Sequence, residues 1–133
     1  MQAAHSRRLQ REIRNYHDNG LSYIVSKYYD LSYDPNNILH WSANLHCLPV
    51  KWHEGKNYAI DIILTDDYPL SPPTVRFLNT VNCQCVHPDT GIMSCSILNK
   101  NGGARNWSPA LTIPGLIMSI ISILTDEDSK RIY

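Results

Sequence analysis

The chain has 133 residues, 43% of them hydrophobic and 18% charged, which is the composition of one globular domain over residues 1–133. Its twelve basic and twelve acidic side chains balance, so we expect no nucleic-acid partner and no membrane association. No apolar run approaches the ~20 residues that span a bilayer, and residues 1–14 are too polar for a secretory signal. These features predict a cytoplasmic or nuclear protein with reduced cysteines.

The first elements are predicted by hydrophobic periodicity. Residues 7–16 place three apolar side chains at helical spacing, which predicts an amphipathic helix that ends at Asn19-Gly20. After it come stretches rich in Tyr, Ile and Val that are separated by turn residues. They predict four strands, over residues 21–33, 38–48, 57–64 and 75–78. Strands joined in sequence by short turns favour an antiparallel meander.

The second half of the chain changes character. Residues 80–106 have few long apolar runs, which predicts an irregular segment. Residues 112–124 are apolar on nearly all sides, with Thr112 as a cap and Pro114 in the first turn, which predicts a buried helix against the sheet. The sequence therefore predicts an α+β fold: an N-terminal helix, a four-stranded antiparallel meander, an irregular segment, a core helix and a short C-terminus.

Several short motifs carry a resemblance to a known family. In chain order they are His40-Trp41, Glu54-Gly55, YPLSPPTVRF at residues 68–77, His87-Pro88 and WSPALTI at residues 107–113. Together they resemble the motifs of ubiquitin-conjugating enzymes, from about residue 7 to residue 126. The resemblance implies the UBC fold, with the family's usual C-terminal helices short or missing.

The resemblance also implies an activity that uses no cofactor. Members of the family receive ubiquitin or a ubiquitin-like protein from an activating enzyme, hold it as a thioester on a cysteine, and pass it to a lysine amine. That cysteine stands in a G-x-I-C-L-x-I-L stretch. Aligned without a gap, residues 91–98 (GIMSCSIL) place Ser94 at the cysteine position. A one-residue slip would make Cys95 the nucleophile, but it abandons part of the match and turns the side chain to the opposite face.

Ser94 changes the expected chemistry. A serine hydroxyl needs an adjacent base to act as a nucleophile, and its ester resists attack by an amine more than a thioester does. Two explanations are open: a natural, transfer-impaired form, or a Cys→Ser substitution that traps the cargo as an ester. A third interpretation is a non-catalytic variant of the same fold that binds ubiquitin or acts as a scaffold subunit.

His87 and Asp89 are further catalytic candidates, because the resemblance aligns them with the family's His-Pro-Asn motif. Asp89 replaces the asparagine to which oxyanion stabilisation is credited. A protonated Asp89 can donate a hydrogen bond, an ionised one can take a proton from a lysine, and a loop-capping role is also open. The loop from Asp89 to Ser94 is about three residues shorter than the family pattern, which leaves the reach of Asp89 in doubt.

The insertion between Leu98 and Trp107 is expected to be an active-site gate. Its candidate residues are Asn99, Asn101, Gly102 and Gly103. Either asparagine is also a candidate oxyanion donor, and an ordinary solvated loop is the alternative.

The resemblance implies one surface for the activating enzyme and for a ligase, which we expect to be of the RING type. The matching positions are Arg8, Arg11, Leu70, Pro109 and Ala110. Basic side chains there can steer acidic partners, and an exposed leucine is a suitable anchor. The alternative is an ordinary solvated helix face for the two arginines.

A metal site is the least favoured alternative. The thiols of Cys83, Cys85 and Cys95 together with His87 form a ligand set that zinc tolerates. However, C-x-C-x-H is not a common zinc spacing, and small buried thiols are frequent in protein cores. We therefore expect no metal ligands in this chain.

Overall fold

The structure, a computed structural model, describes residues 7–18, 27–99 and 107–126. Its helices and strands are α1 (Arg7–Asp18), β1 (Tyr29–Asp34), β2 (Asn37–Leu45), β3 (Tyr58–Ile63), β4 (Thr74–Phe77) and α2 (Ile113–Leu124). This order confirms the predicted α+β class. The Asn19-Gly20 helix stop and the first part of the predicted strand over 21–33 lie outside the described residues. No helix within the described ranges is long and apolar enough to cross a membrane.

The four strands form one antiparallel sheet in sequence order. Side chains alternate between its two faces, so one face collects the apolar residues. A continuous buried row crosses all four strands, because Leu31 pairs with Ala43, Ala43 with Ile60, and Ile60 with Phe77. The register of the sheet is thereby fixed, since a one-residue slip would move this row to the solvent face.

Helix α2 packs into the same core. Six of its residues are buried, namely Ile113, Leu116, Ile117, Ile120, Ile121 and Leu124. The hydroxyl of Thr112 accepts a hydrogen bond from the Gly115 amide at 3.1 Å, which confirms the predicted cap. The helix is not buried on all sides, however: Met118 is 44% exposed and Ser122 is also exposed. The apolar composition of the helix alone did not indicate this open face.

Helix α1 is attached to the start of α2 by a buried carboxylate. The Glu12 side chain is 2% exposed. It accepts hydrogen bonds from the Tyr68 hydroxyl at 2.7 Å and from the Ile113 amide at 3.1 Å. The Arg8 guanidinium lies 3.5 Å away on the same helix. A negative charge at a helix N-terminus is stabilising, so Glu12 both anchors α1 and caps α2.

The other end of α2 is held by a buried histidine. His53 has no exposed surface. Its Nε2 donates to the Leu124 carbonyl at 2.9 Å, so in the neutral ring Nδ1 accepts from the Tyr58 hydroxyl at 2.7 Å. Burial lowers the pKa of His53 below its ordinary value, and the hydrogen bond to Leu124 opposes this effect only in part. The fold therefore holds this imidazole neutral.

We expect His53 to make the stability pH-dependent. Because its pKa is lower in the folded state than in the unfolded chain, its contribution is complete above about pH 6.5 and is lost as the pH falls below that value. The free energy of unfolding should fall with pH by at most about 1.4 kcal/mol per pH unit from this one group. Urea unfolding of the unmodified chain and of His53→Gln between pH 7.5 and 5 measures this pH dependence of the free energy of unfolding. A slope that is equal in the two proteins would contradict the assignment.

Candidate active site

The segment that contains Ser94 extends the sheet beyond β4. The Phe77 amide donates to the Gly91 carbonyl at 2.7 Å, and the Met93 amide donates to the Val75 carbonyl at 2.8 Å. Between these two bonds, Arg76 and Ile92 form an antiparallel bridge. Residues 91–93 are thus docked on the last strand by backbone hydrogen bonds, which fixes the position of the residue that follows them.

A second short ladder supports the same segment from its other side. Val86 and Met93 form an antiparallel bridge, and both side chains are buried. The bridge is flanked by a hydrogen bond from the Ser94 amide to the Cys85 carbonyl, at 2.7 Å. Buried Met93 anchors the segment, while the next side chain, Ser94, is exposed. Exposure is the first requirement for a residue that must meet a second protein.

Gly91 makes the docking possible. Its φ angle is +78°, in the region that favours glycine, and a Cβ atom at this position would lie 2.1 Å from the Phe77 carbonyl oxygen. No side chain fits there without moving β4 or the site segment. The glycine that the sequence aligns with the family motif is therefore required by backbone geometry.

His87 and Asp89 lie in the hairpin that joins the two sides of this ladder. The Nδ1 atom of His87 accepts hydrogen bonds from the Asp89 amide at 3.1 Å and the Thr90 amide at 3.3 Å, so the ring organises the hairpin tip. Ser94 lies two residues past Ile92, and roughly 7 Å of strand separates it from the base of that tip. The described contacts do not join Asp89 to Ser94. A catalytic role for either hairpin residue stays a prediction.

The hairpin instead borders an open cavity of about 620 Å³. Its lining includes His87, Asp89 and the cationic residues Lys56 and Arg76, whereas Ser94 is not part of it. This placement separates the hairpin side chains from Ser94.

Three free thiols lie near one another in this region. Cys83 has no exposed surface, and Cys85 and Cys95 are partly buried. Burial and the neighbouring Cys83 and Cys95 thiols raise the pKa of Cys85 to about 11. Burial also raises the pKa of Cys95, opposed by hydrogen bonds from the Leu98 and Ile97 amides. Among the described residues, no group of three or more His, Cys, Asp or Glu side chains is arranged to hold a metal ion.

The predicted gate is described only at its base. Asn99 is exposed, and its carbonyl accepts from the Trp107 amide at 3.0 Å. The Trp107 indole donates to the Pro69 carbonyl at 2.8 Å, which ties this base to the proline-rich segment. The remaining gate candidates, Asn101, Gly102 and Gly103, lie outside the described residues.

Four of the five residues predicted to bind partners lie together. The Arg8 guanidinium donates to the Pro109 carbonyl, and Arg8, Arg11 and Ala110 line one depression of about 300 Å³. Leu70 is 62% exposed and follows Pro69, to which Trp107 is bonded.

The two arginines of this surface differ in burial. Arg11 is exposed, which is compatible with partner binding and with the alternative of a solvated helix face. Arg8 does not lie on a solvated face, because its side chain is only 17% exposed and is held by Glu12. The reason is that Arg8 lies one helical turn before a buried carboxylate, which the polar appearance of the helix concealed.

The sequence also matches a known protein family over nearly its whole length. A family profile described as "Ubiquitin-conjugating enzyme" matches residues 8–132. The chain belongs to the ubiquitin-conjugating enzyme family. Known members of the family are therefore expected to have the same order of helices and strands around the same motifs.

Relatives of this family are found among viral and plant proteins. The chain is 30% identical over 130 residues to a probable ubiquitin-conjugating enzyme E2 L460 of Acanthamoeba polyphaga mimivirus, covering 98% of this chain and 78% of that protein. It is 33% identical to ubiquitin-conjugating enzyme E2 13 of Arabidopsis thaliana over 73% of this chain and 63% of that protein. It is 35% identical to ubiquitin-conjugating enzyme E2 variant 1C of the same plant, over 60% of this chain and 53% of that protein.

Solved structures of the family have the same fold. Human ubiquitin-conjugating enzyme E2 G1 superimposes with a TM-score of 0.75 at 24% identity, over 89% of this chain and 92% of that one. A Plasmodium vivax ubiquitin conjugating enzyme E2 superimposes with a TM-score of 0.70 at 33% identity, over 88% of this chain and 98% of that one. The helix–sheet–helix arrangement described above is therefore that of ubiquitin-conjugating enzymes.

Proposed function

We propose that this protein accepts ubiquitin or a ubiquitin-like protein from an activating enzyme at the site of Ser94 and passes it to a lysine amine. It does so alone or with a RING-type ligase that docks on the surface around Leu70 and Arg11, in the cytoplasm or the nucleus. No cofactor takes part, because the energy of the reaction is already stored in the thioester that the activating enzyme delivers.

One observation supports this proposal above the others: Ser94 is exposed at the end of a segment that is fixed by hydrogen bonds on both sides. An exposed side chain at the predicted cysteine position, on a segment held by backbone hydrogen bonds, supports acyl transfer between two proteins. The partner surface and the base of the predicted gate are connected to each other through the contact between Trp107 and Pro69.

A charging assay with activating enzyme, ATP and ubiquitin tests the proposal. We expect Ser94→Cys to form an adduct that a thiol reagent releases. We expect Ser94 itself to form an adduct that hydroxide releases and thiol does not, at a far lower rate, because a serine hydroxyl is hardly ionised near neutral pH. Denaturing gels run with and without thiol and after hydroxide treatment distinguish the two bonds.

The matched control is Cys95→Ala in the Ser94→Cys background. It removes the neighbouring thiol and should leave charging intact, because Cys95 is partly buried and adjacent side chains of an extended segment point to opposite faces. Charging that disappears with Cys95 would instead support the one-residue slip. Absence of any adduct in every form would contradict the proposal.

A scaffold function is the second candidate, and the serine at position 94 is the observation that favours it. The similarity to a plant protein named a ubiquitin-conjugating enzyme variant is consistent with this candidate. Binding of ubiquitin to the chain together with a failure of Ser94→Cys to charge would favour the scaffold function over the enzyme.

A further inference from the structure

We propose that the open cavity of about 620 Å³ beside the hairpin binds an acidic peptide segment of a partner protein. This site is separate from Ser94, which does not line the cavity. The inference goes beyond the proposed function, because it needs neither charging nor transfer at Ser94. A binding measurement without the activating enzyme therefore tests it independently.

Three parts of the chain form the walls of this cavity: the turn before β3, the end of β4 with the residues after it, and the hairpin. Hydrogen bonds join these walls. The Leu78 amide donates to the Ala59 carbonyl at 2.8 Å, and the Phe77 amide donates to the Gly91 carbonyl at 2.7 Å. The Asn79 side chain accepts from the Ala59 amide at 2.6 Å. A ligand thus meets walls that are already in place, which lowers the entropic cost of binding.

The cavity has hydrogen-bond donors on side chains from all three walls. Lys56 contributes an exposed ammonium group. Arg76 contributes an exposed guanidinium, of which Nε donates to the Thr90 carbonyl at 3.2 Å. His87 accepts at Nδ1 from two amides of the hairpin, so in the neutral ring Nε2 carries the hydrogen and is a donor. Charged donors of this kind form strong hydrogen bonds with carboxylates.

The two cations of the cavity are not neutralised by nearby carboxylates. Among the residues that the structure describes, the ion pairs involve neither Lys56 nor Arg76. The sheet partner of Arg76 is Asp61, but the Asp61 carboxylate lies 3.0 Å from the His40 ring nitrogen instead. Asp89 is the one acidic side chain in the described lining, and it forms no ion pair with either cation. The cavity therefore keeps a positive charge in a chain whose net charge is zero.

The size and the lining of the cavity favour a peptide over a small ion. Its volume lies within the range of about 300–1,000 Å³ that is typical of pockets for many-atom ligands, far more than one inorganic anion fills. The lining includes Leu78, which is 51% exposed and offers an apolar contact near the cations. Nucleic acid fits less well, because its phosphates would meet only Lys56, Arg76 and the repelling Asp89 carboxylate. Carboxylate side chains next to an apolar one match this arrangement.

Titration of the unmodified full chain with a short blocked peptide of alternating glutamate and leucine tests the proposal. Tryptophan fluorescence is the readout, because Trp52 lines the cavity and is partly exposed, whereas Trp41 and Trp107 are buried. We expect a saturable change that weakens as salt is added, since salt screens exposed charges. A matched peptide of alternating glutamine and leucine should give no such change.

Charge substitutions in the lining should move the affinity in opposite directions. Lys56→Gln and Arg76→Gln should each weaken binding about two- to five-fold, the range expected for exposed ion pairs. Asp89→Asn should strengthen binding about two-fold, because it removes a repelling charge. Lys51→Gln is the matched control, since it removes the same charge from an exposed lysine that does not line the cavity, and it should leave binding unchanged. Because Arg76→Gln also loses the bond to the Thr90 carbonyl, Lys56→Gln gives the cleaner measure.

The outcomes decide the proposal in both directions. Binding of the glutamate peptide that weakens in Lys56→Gln and strengthens in Asp89→Asn supports it. Absence of binding, equal binding of the glutamine peptide, or an affinity that Lys56→Gln leaves unchanged would overturn it. If inorganic phosphate gives the same response and displaces the peptide completely at similar concentration, the cavity is a small-anion site only and the peptide assignment is wrong. None of these results bears on charging at Ser94, which is measured separately.

Discussion

Gly91→Ala is expected to lower the free energy of unfolding by about 3 kcal/mol and to abolish charging at the site. The left-handed backbone accounts for about 1–2 kcal/mol of this loss. The remainder arises because the new Cβ would lie 2.1 Å from the Phe77 carbonyl, so that either β4 or the site segment must shift. Such a shift breaks the hydrogen bonds that orient residue 94, so charging and the free energy of unfolding should both decrease.

Gly55→Ala is the matched control for this prediction. Gly55 has nearly the same φ angle, +73°, but a Cβ there would meet nothing within 4 Å. We expect Gly55→Ala to lower the free energy of unfolding by only about 1 kcal/mol, the cost of the left-handed backbone. It should leave charging of the Ser94→Cys background unchanged. Guanidinium unfolding and the charging assay on both variants measure the difference. Equal losses in the two proteins would show that the close contact with Phe77 does not matter.

Glu12→Ala is expected to destabilise the fold by about 3–4 kcal/mol, a large effect for one side chain on a surface helix. The substitution leaves the Arg8 charge without its carboxylate and removes the acceptor from the Tyr68 hydroxyl and the Ile113 amide. Removal of one partner of a buried, charged group is far more harmful than removal of a surface pair. Denaturant unfolding measures the effect directly.

Two further variants sharpen the result. Glu12→Gln keeps an acceptor for Tyr68 but loses the charge, so its free energy of unfolding should lie between those of Glu12→Ala and the unmodified chain. Gln10→Ala changes an exposed side chain of the same helix and should stay within about 0.5 kcal/mol. If Glu12→Ala resembles Gln10→Ala, the carboxylate is not the link between α1 and α2.

The strands were predictable because their sequence signal is local. Residues 57–64 and 75–78 were predicted as strands, and β3 and β4 are Tyr58–Ile63 and Thr74–Phe77. Period-two alternation over a half-buried sheet is visible in any short window. The helix α2 was equally clear, whereas its exposed face at Met118 and Ser122 depends on what packs against it and has no local signal.

The role of Glu12 was missed although a signal was present. Glu12 lies three residues after Leu9 and one before Ile13, on the apolar stripe of the helix rather than opposite to it. A charged residue on such a stripe needs a buried partner, but the partners, Tyr68 and Ile113, are distant in sequence. Only the tertiary structure brings them together.

That Ser94 stands at the family's cysteine position stays a prediction from aligned motifs, and those motifs gave no indication of what surrounds Ser94. The ladder between residues 85–87 and 92–94 is too short to give a periodic pattern. The metal hypothesis grouped Cys83, Cys85, Cys95 and His87 from spacing alone, and spacing did not indicate that the Cys85 carbonyl accepts from the Ser94 amide or that His87 organises the hairpin tip.

The docking of residues 91–93 on β4 has a consequence for solubility. An uncovered last strand offers unpaired amides and carbonyls to other chains and invites edge-to-edge aggregation. Here the Phe77 amide and the Val75 carbonyl are occupied by Gly91 and Met93, so the site segment shields that border of the sheet. Selection against aggregation then preserves the conformation of this segment whether or not residue 94 takes part in catalysis.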